Sequence, residues 1–219
     1  MNLGYKAWQL GNPSGSLYSF YDLLRRRLNH KLVNYLLNTG ISENSAVVLE
    51  AGSGPAFATS IFSCDSRVAL AVAIDIDMEA LKQARLRDEC LNVVVADLEN
   101  LPFLSDSIGL VWNSSTLEHL PTPHRALSEM TRVARTGGNV FVGVPNVYGP
   151  LGFQKFLPRS SIGIWIGTTF HRSELYNLMK SMNLEPEDSI YYFFRFFVGV
   201  LARKVQLTKA ISNSPDKKC

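Results

Sequence analysis

Three acidic side chains, Glu50, Asp75 and Asp97, each follow a short apolar run in the sequence. An acidic residue about 20 positions after a glycine-rich turn can accept hydrogen bonds from the hydroxyls of a ribose. An acid after the next run can accept a hydrogen bond from the exocyclic amine of adenine. Because a buried charge without a partner is costly, three acids at successive strand ends predict a site for a nucleoside-containing ligand.

The first apolar run ends in a glycine-rich turn that reads Glu-Ala-Gly-Ser-Gly over residues 50–54. Glycine allows the backbone to turn sharply and to approach a ligand closely. An ordinary tight turn between a strand and a helix explains the two glycines equally well. Downstream, Asp77 precedes Met78 and is the better candidate for a helix N-cap, which leaves Asp75 for the ligand.

The elements that must position these residues are strands that alternate with helices. We predict strands over 46–50, 68–75, 92–96, 108–113 and 139–144, and helices over 17–37, 56–62, 78–89, 123–134 and 171–183. Gly137-Gly138 is predicted to form the turn into the fifth strand, and 190–203 to supply closing strands. The alternation and the continuously apolar strands predict an α/β fold: a doubly wound, Rossmann-like, mostly parallel sheet of seven strands with helices on both faces.

Composition excludes several classes of protein. The 219 residues are 46% hydrophobic and carry a formal net charge of +3, which is typical of a globular domain and too mild to indicate nucleic-acid binding. Cys64, Cys90 and Cys219 are widely spaced, which argues against disulfides and a zinc site. No metal site is predicted. With no apolar run of about 18 residues and no signal peptide, the sequence predicts a cytoplasmic protein.

The ordered motifs over about residues 43–145 resemble the class I S-adenosylmethionine-dependent methyltransferases, especially their type 11 group. The similar segments are Glu50–Gly54, Ile74–Leu81, Ala96–Phe103, Asp106–Val111, Leu117–Leu120 and Arg132–Gly138. The resemblance implies S-adenosylmethionine as the cofactor and methyl transfer as the reaction.

The same resemblance implies a role for each cofactor-site residue. Glu50 would orient the glycine-rich turn of Ala51, Gly52, Ser53 and Gly54, with Gly52 against the methionine moiety. Asp75 would hold the ribose, and Asp97 and Leu98 would hold the adenine; Ile76, next to Asp75, is also expected at the cofactor site. The backbone carbonyl of Asn113 would accept from the methionine amino group.

One position departs from the family pattern, because Ala56 stands where a third glycine is frequent. Its side chain is expected to narrow the loop. The missing glycine also argues against a nicotinamide-dependent oxidoreductase, whose fingerprint requires it. Two further alternatives are a non-catalytic methyltransferase-like subunit and an RNA methyltransferase; Asn113-Ser114-Ser115-Thr116 lacks the proline-containing motif of enzymes that methylate base amines.

Two histidines are candidates for a general base, which methyl transfer needs only if the acceptor is a hydroxyl or a protonated amine. His119 follows the fourth strand, and His171 opens a helix after an aromatic segment. A packing role for His119 and a helix-cap role for His171 are at least as well supported by the sequence.

We predict that residues 1–40 form a flap and a helix over the active site. Residues 41–219 would form the methyltransferase domain, with an aromatic lid at about 146–170. The aromatic residues of the lid, together with Arg25, Arg26, Arg27 and Lys31, favour a small-molecule or lipid-like acceptor and possible peripheral membrane contact. A solvated charged face explains the basic residues at least as well. The sequence indicates neither the methylated atom nor the oligomeric state.

Overall fold

The computed structural model describes residues 16–149 and 167–206. The predicted flap at 1–15, most of the predicted lid and the end of the chain after residue 206 lie outside the described residues. The strands are β1 (Ala46–Ala51), β2 (Val68–Asp75), β3 (Asn92–Val95), β4 (Ile108–Ser114), β5 (Ala134–Pro145), β6 (Leu184–Tyr192) and β7 (Phe197–Lys204). The helices are α1 (Ser16–Thr39), α2 (Phe57–Ser63), α3 (Met78–Arg87), α4 (Pro123–Val133) and α5 (Arg172–Lys180).

The seven strands form one sheet in the order β3-β2-β1-β4-β5-β7-β6. The first five strands pair in parallel, and β7 runs antiparallel to both β5 and β6. The predicted seven-stranded, mostly parallel sheet is therefore confirmed. The reversal of strand order on either side of β1 creates the crevice in which open α/β sheets bind ligands.

Helices cover both faces of the sheet, as predicted. On one face, Leu32, Val33 and Leu36 of α1 pack with Phe62 of α2 and Trp112 of β4. On the other face, α4 and α5 pack against alternate residues of the same strands. Because both of their faces are buried, β1, β2 and β4 carry apolar side chains at most positions, and this pattern made them recognisable in the sequence.

The prediction of a turn at Gly137-Gly138 was wrong. β5 already begins at Ala134, which pairs with Ile108, and the register with β4 shifts before Leu110. Gly137 adopts a positive φ of 76° within this irregular start. The two glycines thus mark a distortion inside the strand, while the strand itself continues through them.

The topology brings several chain segments to one edge of the sheet. The carboxyl ends of the five parallel strands meet there. Since Phe197 at the start of β7 pairs with Pro145 and with Tyr192, the connection between β6 and β7 lies at the same edge. Within the described residues, no helix is both long and apolar enough to cross a membrane.

Candidate functional site

Asp75 ends β2 and organises the crevice through its carboxylate. One oxygen accepts a hydrogen bond from the backbone N–H of Gly54 at 2.7 Å, and the other accepts from the N–H of Asp77 at 2.8 Å. Burial raises the pKa of Asp75, whereas these two backbone hydrogen bonds lower it. The residue is 4% exposed. Asp75 therefore has two partners in the protein itself, and each oxygen keeps a second lone pair for the predicted ligand.

Asp77 has the capping role predicted for it. Its side chain accepts hydrogen bonds from the backbone N–H groups of Glu79 and Ala80 at the start of α3. The two acids thus have different roles: Asp77 caps the N-terminus of α3, and Asp75 accepts a hydrogen bond from the glycine-rich turn.

Gly52 lies at the tightest point of the turn. Its φ is +77°, and an added Cβ would lie 2.6 Å from Oγ1 of Thr116. Thr116, which follows β4, donates a hydrogen bond to the carbonyl of Gly52 at 3.1 Å. The N–H groups of Gly52 and Ser53 both donate to the carbonyl of Ile74 at 2.8 Å. The turn is therefore fixed between β2 and the chain after β4.

Glu50 is buried at the end of β1 and holds α2 rather than the glycine-rich turn itself. Its carboxylate accepts hydrogen bonds from the backbone N–H of Thr59, at 2.9 Å, and from the Thr59 hydroxyl. Burial raises the pKa of Glu50 to about 7, and the hydrogen bonds from Thr59 oppose that shift. α2 follows Ala56, which adopts a left-handed φ of 52°, a conformation that costs an alanine about 1–2 kcal/mol.

Asn113 is completely buried at the end of β4 and connects three segments. Its side-chain amide donates to the carbonyl of Ala51, and its side-chain oxygen accepts from the N–H of Leu117 at 3.4 Å. These contacts set the distance between the glycine-rich turn and the 3-10 turn Leu117–His119.

The end of β3 differs in part from the prediction. Asp97 is exposed rather than buried, and one of its carboxylate oxygens accepts from the N–H of Glu99 at 2.9 Å. Leu98 is 5% exposed and packs in the core. Ile76 is 58% exposed, an unusual position for an apolar residue directly after a buried strand. Ile76 thus offers an apolar surface beside Asp75, and the hydrogen bond from the N–H of Ala96 to the Asp75 carbonyl brings β3 close to it.

His119 lies beside a buried acid that the sequence did not single out. Nε2 of His119 is 3.9 Å from Oε1 of Glu118, and the Glu118 side chain is 0% exposed. Burial raises the pKa of Glu118 to about 8. The Glu118 carbonyl accepts from the N–H of Thr168, so the described C-terminal end of the predicted lid lies against this turn.

Tyr192, at the end of β6, is a second residue that sequence reasoning missed. Its hydroxyl lies 2.7 Å from Oγ of Ser114 at the end of β4. Burial raises the pKa of Tyr192, and the charge of Glu118 adds to this effect. No sequence pattern distinguished Glu118 or Tyr192, because a single Glu or Tyr gives no sign that it will be buried.

His171 is at the N-cap of α5, which supports the helix-cap interpretation. Its backbone N–H donates to Oε2 of Glu174 at 2.7 Å, and its ring makes an edge contact with Tyr148 at 4.9 Å between centroids. The two described ends of the predicted lid pair with each other, since the backbone N–H of Val147 donates to the carbonyl of Phe170 at 3.1 Å. Among the described residues, no group of His, Cys, Asp or Glu side chains could hold a metal ion.

Comparison with protein families identifies the central part of the chain. The family model described as "Methyltransferase domain" matches residues 49–142. This segment contains the glycine-rich turn, Asp75, Asp97 and the 3-10 turn, and it coincides with the region of the predicted resemblance. The resemblance to class I methyltransferases is thereby confirmed.

Two curated relatives match the same region. A protein of Mycobacterium tuberculosis named "Probable S-adenosylmethionine-dependent methyltransferase" is 35% identical over 99 residues, which are 45% of this chain and 35% of the relative. The malonyl-[acyl-carrier protein] O-methyltransferase of Laribacter hongkongensis is 35% identical over 104 residues, which are 42% of this chain and 35% of the relative. The chain thus spans about a third of the length of these two relatives.

The fold has a close counterpart among solved structures. One chain from the structure of a complex between the Haloferax volcanii Trm112 methyltransferase activator and a putative methyltransferase superposes on this chain with a TM-score of 0.72. The two sequences are 17% identical. The match covers 94% of this chain and 97% of that one. At this identity the similarity establishes the fold of the described strands and helices.

Gly52→Ala should destabilise the protein more than Gly137→Ala does. Both glycines have φ near +76°, so either alanine meets the same backbone cost of about 1–2 kcal/mol. Only at position 52 does the new Cβ also collide with Thr116, whereas nothing lies within 4 Å at position 137. We therefore expect the free energy of unfolding, measured by urea denaturation, to decrease by about 1–3 kcal/mol more in Gly52→Ala than in Gly137→Ala. Equal losses in the two variants would contradict the tight packing of the turn.

Glu50→Gln should make the stability of the protein less sensitive to an increase in pH between acidic and neutral values. The Glu50 pKa rises from 4.5 to about 7 on folding, so the wild type loses stability as pH increases through this window. The glutamine side chain cannot ionise, but its amide oxygen can still accept a hydrogen bond from Thr59. The difference in unfolding free energy between variant and wild type should therefore shift by about 3 kcal/mol in favour of the variant from pH 4 to pH 8.

The control for this measurement is Glu89→Gln, which replaces a carboxyl on the exposed surface. Urea denaturation of all three proteins at both pH values gives the comparison. A constant difference between Glu50→Gln and the wild type would show that the Glu50 carboxyl does not change its proton affinity on folding.

Proposed function

We propose that this chain, whose residues 49–142 belong to the class I S-adenosylmethionine-dependent methyltransferases, transfers the methyl group of that cofactor to a small-molecule or lipid-like acceptor. The observation that carries the proposal is the arrangement at the end of β2. Asp75 holds the glycine-rich turn through Gly54 and retains lone pairs toward the crevice. The exposed side chain of Ile76 stands directly beside it.

The polar and apolar groups at the strand ends suit the cofactor. The remaining lone pairs of Asp75 can accept from the two ribose hydroxyls, and Ile76 offers an apolar face to the adenine ring. Asp97, exposed at the end of β3, can accept from the adenine amine through the carboxylate oxygen that Glu99 leaves open. The turn at Gly52 allows the backbone to approach the methionine end of the cofactor closely. The backbone carbonyl of Asn113 can accept a hydrogen bond from the amino group of that methionine. Leu98, which is buried in the core next to Asp97, would pack beneath the residues that contact the adenine.

When bound, S-adenosylmethionine supplies a methyl group on a positively charged sulfur, which an acceptor can displace in line. The chain's own residues must therefore align the acceptor with that methyl group and exclude water. The acceptor would lie at the ends of β4 and β5, where the 3-10 turn, Tyr192 and the chain around Thr168 meet. This end of the crevice contains His119, the first candidate for a base.

The acceptor class remains a proposal that several features support. The Laribacter relative is named for methylation of an acyl-carrier-linked malonyl group, which favours a small or carrier-linked acceptor here as well. Tyr148 and Phe194 are each 73% exposed at this edge of the sheet and would favour an acceptor with apolar parts. The Haloferax neighbour was solved with a protein activator, and a protein partner is therefore a further possibility to test.

Asp75→Asn should weaken binding of S-adenosylmethionine and S-adenosylhomocysteine at least tenfold, about 1.4 kcal/mol, in titration calorimetry. An asparagine cannot accept from Gly54, Asp77 and a ribose diol at the same time, because one of its two polar atoms is a donor. Asp88→Asn is the matched control. Asp88 accepts from the N–H of Cys90 after α3, away from the strand ends, and asparagine can do the same.

Failure of the wild type to bind either compound would overturn the proposed function and favour the non-catalytic alternative. If the Asp75→Asn protein bound as tightly as the wild type, the cofactor would be held in some other way. With binding established, transfer of an isotopically labelled methyl group from the cofactor to candidate acceptors measures the reaction itself.

A further inference from the structure

Two loops at the carboxyl edge of the sheet present aromatic side chains to solvent. One is the turn 193–196 between β6 and β7, and the other is the chain 146–149 after β5. Phe194 in the first loop and Tyr148 in the second are each 73% exposed. A single exposed aromatic residue is ordinary on a protein surface, whereas two on adjoining loops form a patch that requires an explanation.

The two loops are joined through their backbones. The side-chain amide of Asn146 donates to the carbonyl of Arg195 at 3.1 Å, and its backbone N–H donates to the carbonyl of Phe196 at 2.8 Å. A Cβ added at Gly149 would collide with the carbonyl oxygen of Arg195. Within the turn, the rings of Phe193 and Phe196 pack edge to face at 5.7 Å between their centroids. The two exposed rings therefore project from one base.

The turn 193–196 keeps Phe194 outside at a conformational cost. Phe193, Phe194 and Arg195 have φ angles of 52°, 52° and 65°, so three consecutive residues with side chains adopt the left-handed conformation. Glycine normally fills such positions, because a Cβ disfavours this conformation. Folding gains little from the ring of Phe194 in return, since most of it stays in water. Backbone strain of this kind points to a function of the residues that it displays.

Arg195 adds positive charge to the turn. Its guanidinium lies over the ring of Tyr191, 5.0 Å from the ring centroid. Among the residues that the structure describes, no carboxylate forms an ion pair with Arg195. Because a neutral ring does not cancel the charge of the guanidinium, Arg195 can attract an anionic partner.

A second arginine lies close to Tyr148. The ring of Tyr148 contacts the ring of His171, and the exposed Arg172 follows as the first residue of α5. Arg172 has no carboxylate partner within residues 16–149 and 167–206 either. The acid of this helix turn, Glu174, accepts a hydrogen bond from the N–H of His171 and so caps the helix. From residue 130 to 173 the sequence contains no aspartate or glutamate.

We propose that this aromatic and basic patch docks on the surface of a membrane that contains anionic lipids. Its members are Tyr148, Phe194, Arg172 and Arg195. Aromatic rings are favoured at the boundary between headgroups and acyl chains, which a ring on a projecting turn can enter while its backbone stays in water. The two arginines complement the negative charge of the lipid phosphates.

A second copy of this chain is a poorer partner for the patch. Most protein oligomers are symmetric, and a twofold contact through this surface would bring the unpaired arginines of both copies together. Repulsion between like charges opposes such a contact, whereas a surface of anionic lipids neutralises all of them. The charge of the patch therefore favours the lipid surface.

Docking at this edge would bring the acceptor end of the crevice to the membrane. Tyr192 leads directly into the turn 193–196, and its hydroxyl lies 2.7 Å from Oγ of Ser114 at the end of β4. A lipid-like acceptor dissolved in the bilayer could then reach the crevice without passing through water. This consequence rests on the proposed function, whereas the docking itself does not depend on it.

The experiment measures co-sedimentation of the full chain with vesicles of phosphatidylcholine that contain about 30% phosphatidylserine, and with vesicles of phosphatidylcholine alone. The variants are Phe194→Asn and Arg195→Asn. Asparagine adopts a positive φ more readily than the native residues, so neither change disturbs the backbone of the turn, and urea denaturation verifies this. The matched control is Leu104→Asn, since Leu104 is 81% exposed in the chain before β4, at the opposite edge of the sheet.

The wild type should bind the anionic vesicles more tightly than the neutral ones. Phe194→Asn should weaken this binding about tenfold, because one aromatic ring no longer enters the interface. Arg195→Asn should weaken it about fivefold and reduce its dependence on salt. Leu104→Asn should bind as the wild type does.

Equal binding of the wild type to both kinds of vesicle, or none, overturns the inference. Equal binding of Phe194→Asn and the wild type to the anionic vesicles also overturns it. So does a dimer, detected by analytical ultracentrifugation, that Phe194→Asn dissociates while no form binds vesicles, because the patch then contacts a second copy. Calorimetry with S-adenosylhomocysteine on the same proteins separates the two proposals. A wild type that binds anionic vesicles through Phe194 but does not bind this compound supports the docking and contradicts the proposed function.

Discussion

The carboxylate of Asp75 stands between two backbone N–H groups, and the geometry of the crevice depends on it. Gly54 donates from the glycine-rich turn and Asp77 donates from the start of α3, so one side chain fixes the chain after β1 and the chain after β2. Burial without these donors would favour the neutral acid. The hydrogen bonds favour the charged form, and they leave lone pairs for a diol. Thus one group builds the turn and, in the proposed function, also binds the ligand.

Other polar side chains at the strand ends also join separate elements, as Asp75 does. Asn113 joins the end of β1 to the 3-10 turn, and Thr116 fits against Gly52 so closely that only glycine is accommodated there. Glu50 fixes α2 through Thr59. Each polar side chain at this edge connects the ends of different elements. These contacts therefore fix the strand ends relative to one another in the protein without a ligand.

The fold was predictable because it depends on a pattern repeated along the chain. Strands buried on both faces are continuously apolar, and this signal survives an error of a few residues at their ends, as at the start of β5. In the candidate site, the tight turn at Gly52 and the acid at the end of β2 were predictable because a motif fixes their spacing. Glu118 and Tyr192 were missed because their importance lies in burial and in contacts between distant segments. The exposure of Asp97 was missed for the same reason, since a position after a strand does not specify the depth of a side chain.

The central claim is that Asp75 holds the glycine-rich turn and a ribose at the same time, and a crystal structure with S-adenosylhomocysteine tests it most directly. The account predicts both ribose hydroxyls within hydrogen-bonding distance of the Asp75 carboxylate, with the hydrogen bond from Gly54 intact and the adenine against Ile76. A ligand bound elsewhere would contradict the account. So would a ribose that reaches Asp75 only after the bond to Gly54 has broken.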